Sequence, residues 1–252
     1  MCPDRLDEVD SSQRRPVIAI DGPGGAGKST IARRLAARLG FLYLDTGAMY
    51  RAVTWAAVQA GLVAADGALD PDGVAGLAES AVIEFRRGGQ RDRVLVNGKD
   101  VTNVVRQPEV ERLVPRVAAL PGVRRALIPQ QRRLAAAGGV VLDGRDIGTA
   151  VLPDAEYKFF VTAHFDTRVD RRWHEIRRRG HPATHAEVAE DLRRRDHADE
   201  SRNEGALRRA AGAHLLDTTE LTVDEAVESV LSACPDLAVA AMASDEGEAG
   251  RP

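Results

Sequence analysis

The stretch Gly22-Pro23-Gly24-Gly25-Ala26-Gly27-Lys28-Ser29 fits the spacing G-x-x-x-x-G-K-[ST]. Glycines in such a loop let the backbone turn its N–H groups inward, where they surround the oxygens of a β- or γ-phosphate. Lys28 then reaches the transferred phosphoryl group, and the Ser29 hydroxyl ligates Mg²⁺. With Thr30 opening the next segment, the loop marks a nucleotide-triphosphate site, ATP in the first instance. The loop alone does not separate a motor, a switch and a small-molecule kinase. A strong metal-binding strand, four apolar residues ending in Asp with a catalytic Glu beside it, is missing. VVLDGRD instead offers Asp143, placed to hold a Mg²⁺-bound water, with Gly144 where the Glu would stand. No Asn-Lys-x-Asp guanine signature is present. Motor and switch readings lose ground on both counts.

A kinase also needs groups for the acceptor, and arginine is the side chain whose planar fork of donors matches phosphate oxygens. Lysine stands only at Lys28, Lys99 and Lys158, so nearly all of the 35 basic residues are arginine. The general excess reads as a bias toward Arg and Ala, and position has to single out the functional ones. Arg51, one helical turn past Asp45-Thr46-Gly47, is a candidate phosphate ligand or an exposed helix arginine. Arg145 and Asp146 follow the VVLD strand, at the edge where ligands gather in open α/β sheets, and read equally as a surface ion pair. Arg195, Asp199 and Arg202 stand at i, i+4 and i+7, the spacing of one helix face, which by itself describes a salt-bridged solvated surface. Arg168, Arg171, Arg172, Arg177, Arg178 and Arg179 precede Gly180 and suggest a mobile arginine-rich flap.

The elements that must carry these residues follow from periodicity. VIAID, after Pro16, is a short β-branched run and reads as a buried strand. Ile31, Leu35 and Leu39 recur at helical spacing and stop at Gly40, so the glycine loop joins a strand to a helix. FLYLD predicts a second strand, and 47–61 a helix with Met49, Val53, Ala56 and Ala57 on one face. From 63 to 105 the pattern turns antiparallel: VIEFRR and RVLVNGKDVT are strand-like, with Asn97-Gly98 as a hairpin turn. Helical sequence covers 109–137, interrupted at Pro121-Gly122, and again the charged stretch 166–209. VVLD, YKFFV and HLL supply three further strands. Five parallel strands with helices between them predict a three-layer α/β sandwich. The ends, 1–15 and 236–252, read as flexible tails.

Composition bounds the rest. Over 252 residues, 44% hydrophobic and 29% charged residues suit a folded domain, and the formal net charge of −3 argues against gripping nucleic acid through its phosphates. No apolar run is long enough for a membrane span or a signal peptide, which predicts a cytoplasmic protein without membrane partners. Cys2 and Cys234 are too far apart for a metal or disulfide motif, and the six histidines show no ligand pattern.

Taken together, IDGPGGAGKST, LDTGAMYR, NGKDVTNVVR, VAALPGVR, VLDGRDIGTAVLPDAEYKFF and RRRDHADESR resemble the bacterial cytidylate kinases, a branch of the nucleoside monophosphate kinases. The resemblance runs from Val17 to about Glu228. It implies a P-loop NTPase fold with a core of 16–62 and 106–235, an inserted monophosphate-binding domain at 63–105 and an arginine-rich lid at about 166–182. It implies transfer of the ATP γ-phosphoryl group to CMP or dCMP, with Mg²⁺, by a monomer. Arg51, Arg145 and Arg195 match positions that hold the CMP phosphate. Arg124, Asp146 and Arg202 match positions near cytosine, Asp199 one at the sugar hydroxyls, and Thr46 a further acceptor-side position. Lys28, Arg145, Arg195, Arg171 and Arg172 are the expected surround of the phosphoryl group in flight. Three positions depart from the family: Pro115 where a base-reading Ser is common, Thr46 where some relatives have Ser, and Gly205-Ala206-Leu207 for Ser-Pro-Leu. The competing readings are a kinase for UMP, AMP or a non-nucleotide such as shikimate, and a nucleotide-binding protein without turnover.

Overall fold

A computed structural model describes residues 15–64, 67–86, 93–234 and 236–237. The expected tails lie outside these residues except at their inner ends. There Arg15 is held in place, donating to Leu39 O at 2.8 Å, and Leu237 is buried in the core.

Strand β1 (Val17–Asp21) is buried along its whole length because the sheet continues on both sides of it. It pairs in parallel with β6 (Val140–Asp143) and β7 (Tyr157–Thr162), and these pair outward with β2 (Leu42–Asp45) and β8 (His214–Asp217). The order β2-β6-β1-β7-β8 gives the expected five-stranded parallel sheet. Side chains of a strand alternate between faces. Ile18 and Ile20 therefore join α1 (Lys28–Leu39) and α8 (Val223–Ser232) in one apolar cluster, while Val17 and Ala19 join Ala135 of α5 (Pro121–Ala135) in another. Those are the three layers. Parallel strands end at one edge, and here the ends are Asp21, Asp45, Asp143, Thr162 and Asp217.

The second sheet is antiparallel, β3 (Ile83–Arg86), β4 (Arg93–Val96) and β5 (Lys99–Asp100), with Asn97 and Gly98 both at positive φ in the β4–β5 turn. The stretch read as strands also contains a helix, α3 (Pro71–Ser80), which corrects that reading. Asp70 caps it through Gly73 N at 3.1 Å and Pro71 stands in its first turn, both ordinary helix-start chemistry. This sheet and α3 share one apolar cluster with α2 (Thr46–Gln59), α4 (Pro108–Ala118) and α5, in which Val53, Val74, Val117 and Leu127 are fully buried.

The charged stretch forms α6 (Phe165–Arg178) and α7 (His185–Glu200), packed on each other through Val169, Val188 and Leu192. A capping box of Thr184 and Glu187 starts α7. The helix expected to reach Arg209 stops at Glu200, and the chain turns at Gly205, φ 69°. Between β6 and β7 a single π-helical turn, Ile147–Val151, is pinned to β1 by Asp21, whose carboxylate accepts from Ile147 N and Gly148 N at 2.8 Å each.

Candidate active site

The phosphate loop leaves β1 at Gly22, where φ is 147° and a Cβ would overlap the Val161 carbonyl oxygen. Gly25 and Gly27 also take positive φ, and a Cβ at Gly25 would stand 2.7 Å from Arg168 O. Among the described residues no side chain caps α1, whose N-terminus opens directly from the glycine loop, the place where helix amides suit an anion. Lys28 is buried and its Nζ donates to Pro23 O at 2.8 Å, closing the loop on itself. Burial first, then the charge of Arg145, push the Lys28 pKa down to about 7.

Ser29 Oγ donates to Asp143 Oδ2 at 2.6 Å, and Tyr43 OH donates to Asp143 Oδ1 at 2.9 Å. Burial, and next the charge of Asp45, push the Asp143 carboxyl up, against the charge of Lys28 and the hydrogen bonds from Ser29 and Tyr43. Ser29 and Asp143 are hard oxygen donors, and Mg²⁺ takes few protein ligands beside substrate phosphates and water. The donor set fits that ion. Thr46 Oγ1 faces the same carboxylate's backbone, donating to Asp143 O at 2.7 Å.

At the other end, Arg124 and Asp146 form an ion pair buried to 3% and 7% side-chain exposure, with Arg124 also 3.4 Å from Tyr50 OH. Asp45 caps α2 through Ala48 N and accepts from Arg51 at 2.6 Å and Arg106 at 2.8 Å. Burial alone would raise the Asp45 carboxyl; Arg51 and Arg106 hold it below the ordinary range. Arg145 Nε donates to Asp199 Oδ2 at 2.6 Å, and Arg202 donates to Asp199 Oδ1. Of the single helix face expected for Arg195, Asp199 and Arg202, the helix carries the first two. Arg202 lies past the end of α7, while Arg195 pairs backward with Asp191 at 2.8 Å. Arg51 Nε and Arg202 Nε are buried without a hydrogen-bond partner among the described residues, as donors awaiting an acceptor would be.

The flap arginines do not act alike. Arg168 is buried, donating to Gly24 O at 3.0 Å and Asp196 at 2.7 Å, so it clamps α6 to the phosphate loop and is no part of a mobile surface. Arg171 bonds Thr218 Oγ1 at 2.9 Å and Thr218 O at 2.6 Å, beside the loop. Arg172 turns the other way, to Glu111 and to Glu175 at 2.8 Å.

Most of these groups, though not the clamping Arg168, line one cleft of about 1210 Å³. It brings together Gly24–Ser29 and Thr30 with Thr46, Arg51, Arg124, Asp143, Arg145, Asp146, Arg171, Arg172, Arg195, Asp199 and Arg202. Gly22 and Pro23 shape the loop from behind and are not on its wall. Sequence reasoning passed over Asp45, Arg106, Glu111 and Tyr43. The cap position of Asp45 was a usable signal; the others have partners far along the chain and no local signature.

The sequence matches the family described as Cytidylate kinase over residues 18–236. A cytidylate kinase of Desulfitobacterium hafniense is 48% identical over 215 residues, 85% of this chain and 90% of that protein. One of Symbiobacterium thermophilum is 46% identical over 224 residues, covering 88% and 96%. One of Carboxydothermus hydrogenoformans is 46% identical over 214 residues, covering 85% and 95%. With a phosphate loop and carboxylate-paired arginines lining one cleft, and this similarity along most of its length, the chain belongs to the cytidylate kinase family.

Proposed function

We propose that the protein transfers the γ-phosphoryl group of ATP to CMP or dCMP, giving ADP and CDP or dCDP. The observation that carries this reading is the opposition, within one cleft, of a loop built for a triphosphate and an arginine cluster around a buried Arg124–Asp146 pair. Cytosine presents an N4 amino donor beside the N3 and O2 acceptors, so a carboxylate and a guanidinium read it by complementary charge. Asp146 is the group for N4, and Arg124 and Arg202 are the groups for N3 or O2. Asp199 suits the sugar hydroxyls. Thr46, with its hydroxyl held at the carboxyl end of β6, supports the floor between the two substrates. Pro115 lines the cleft but has no hydrogen to donate, so base selection rests on the ion pair.

The acceptor phosphate, with a second pKa of about 6, is mostly a dianion at neutral pH and needs no general base. Arg51, Arg145 and Arg195 hold it in line. Lys28, Arg171 and Arg172 take up charge on the transferring group, and rate comes from alignment and electrostatic stabilisation. Ser29, and Asp143 through water, would hold Mg²⁺, which would supply positive charge against the triphosphate. Among the described residues no helix is long and apolar enough to cross a membrane. The reading takes the enzyme as a cytoplasmic monomer acting on small nucleotides.

The test is ADP release from Mg-ATP with CMP, dCMP, UMP and AMP as acceptors. CMP and dCMP are expected to lead, with UMP well behind, because its O4 would oppose Asp146. Asp146→Asn narrows the CMP to UMP ratio of kcat/KM by about tenfold, the low end of what one base-reading contact discriminates. An unchanged ratio assigns N4 to another group, and no acceptor-dependent ADP at all rejects the reaction.

A further inference from the structure

Glu111 stands in the first turn of α4, on the acceptor side of the cleft, with 13% of its side chain exposed. Three arginines of the opposite wall converge on it: Arg172 of α6 on Oε2, Arg179 just past α6 at 3.4 Å from Oε1, and Arg195 of α7 at 4.0 Å from Oε2. Each arginine has a partner close by in sequence as well, Glu175 for Arg172 and Arg179 and Asp191 for Arg195. Those partners hold each arginine near its own helix. Glu111 is what the three share, and among the described residues every ion pair between α4 and the α6–α7 pair runs through it.

Three guanidinium groups meeting at one point is the arrangement a phosphoryl group calls for, with charge spread over three oxygens. A single carboxylate only partly satisfies it. Burial first, opposed by Asp191 and Glu111 and reinforced by Arg172 and Arg145, lowers the Arg195 pKa. Burial would raise Glu111, yet Arg172, Arg195, Arg51 and Arg179 hold it below the ordinary carboxylate range. It is thus an anion at all physiological pH, and no proton switch is involved.

We propose that Glu111 is a positioning residue whose carboxylate occupies the meeting point of Arg172, Arg179 and Arg195 in the substrate-free cleft and yields them to phosphate oxygens when substrate binds. This rests on the reading that Arg172 and Arg195 meet phosphate. Two effects follow from losing the charge. The arginines repel one another and leave the aligned geometry, which lowers kcat. The site also loses its internal competitor, which strengthens binding of a free anion.

The experiment titrates inorganic pyrophosphate into the free protein by calorimetry, for the parent, Glu111→Gln and Glu111→Asp, and pairs this with steady-state kinetics. Glu111→Gln is expected to bind pyrophosphate on the order of tenfold tighter and to lose at least about tenfold in kcat, without a rise in the KM for CMP. Glu111→Asp keeps the charge on a shorter stem, so its pyrophosphate affinity stays within about threefold of the parent while kcat still falls. Pyrophosphate binding that is unchanged or weaker in the Gln variant overturns the proposal, as does an unchanged kcat. If the parent failed to phosphorylate CMP, the reaction would be wrong. The calorimetric comparison would still report whether Glu111 competes with an anion.

Discussion

Lys28 shows how one side chain links the fold to the chemistry. Its ammonium donates to the loop carbonyl of Pro23, and burial first, then the charge of Arg145, bring its pKa from the ordinary 10.5 to about 7. Between those values the unfolded chain holds a proton that the folded chain has given up. Lys28 therefore makes stability rise with pH across that window, and below it the buried charge is a cost. ATP phosphates favour the charged form, so nucleotide binding draws the proton back. Titrating ATP at pH 8 in two buffers of different ionisation enthalpy is expected to show uptake of about one proton per ATP, the count that linkage requires for one group crossing its pKa. Lys28→Ala is expected to abolish both that uptake and phosphoryl transfer while retaining a cooperative unfolding transition. Buffer-independent heat in the parent, or turnover persisting in the variant, would remove Lys28 from its assigned role.

At the level of elements, the turn from β1 into α1 sets where that lysine can be. Gly22 lies against the β7 backbone, whereas Gly61, also at positive φ, has nothing within 4 Å of a built Cβ. Alanine at Gly61 meets only the left-handed penalty, about 1–2 kcal/mol. Alanine at Gly22 adds a collision with a backbone oxygen that no rotamer relieves, and about 3 kcal/mol or more is expected. Urea midpoints of the two variants check this, and equal losses would show that the loop can move away from β7. Such local chemistry is what the sequence made legible: β-branched runs for the parallel strands, contiguous glycines for the loop, Asn97-Gly98 for the hairpin. Helix α3 escaped because its glycines blur the apolar stripe of Val74 and Ala78, although Asp70 and Pro71 marked its start. The stretch after Glu200 read as helix because its arginines suit one, and Gly205 was passed over as a stop. The Asp45–Arg106 and Glu111–Arg172 pairs each span 61 positions, and tertiary packing alone brings them together.

Across the whole molecule, a net charge of −3 hides a local excess of the opposite sign. Eleven arginines line the one cleft, Arg51, Arg124, Arg145, Arg172 and Arg195 among them, against seven carboxylates. Two packing units face each other with some of them. Arg51 and Arg124 ride on helices of the cluster shared with the small sheet, whereas Arg172 and Arg195 ride on the α6–α7 pair. Repulsion across the cleft opposes their approach, and a bound dianion reverses it, so anion binding and overall stability are linked. Sulfate is therefore expected to raise Tm above its value in chloride at matched ionic strength. Sulfate also strengthens burial in any protein, and that general effect is common to the parent and to Arg51→Ala/Arg195→Ala, which removes one arginine from each side. The site's share is the increment the double variant loses. A site contribution of about 1 kcal/mol corresponds to roughly 2–4 °C in a chain of this size. Equal increments in the two proteins would mean that the facing arginines do not form a common anion site. The acceptor phosphate would then have to be held from one side only.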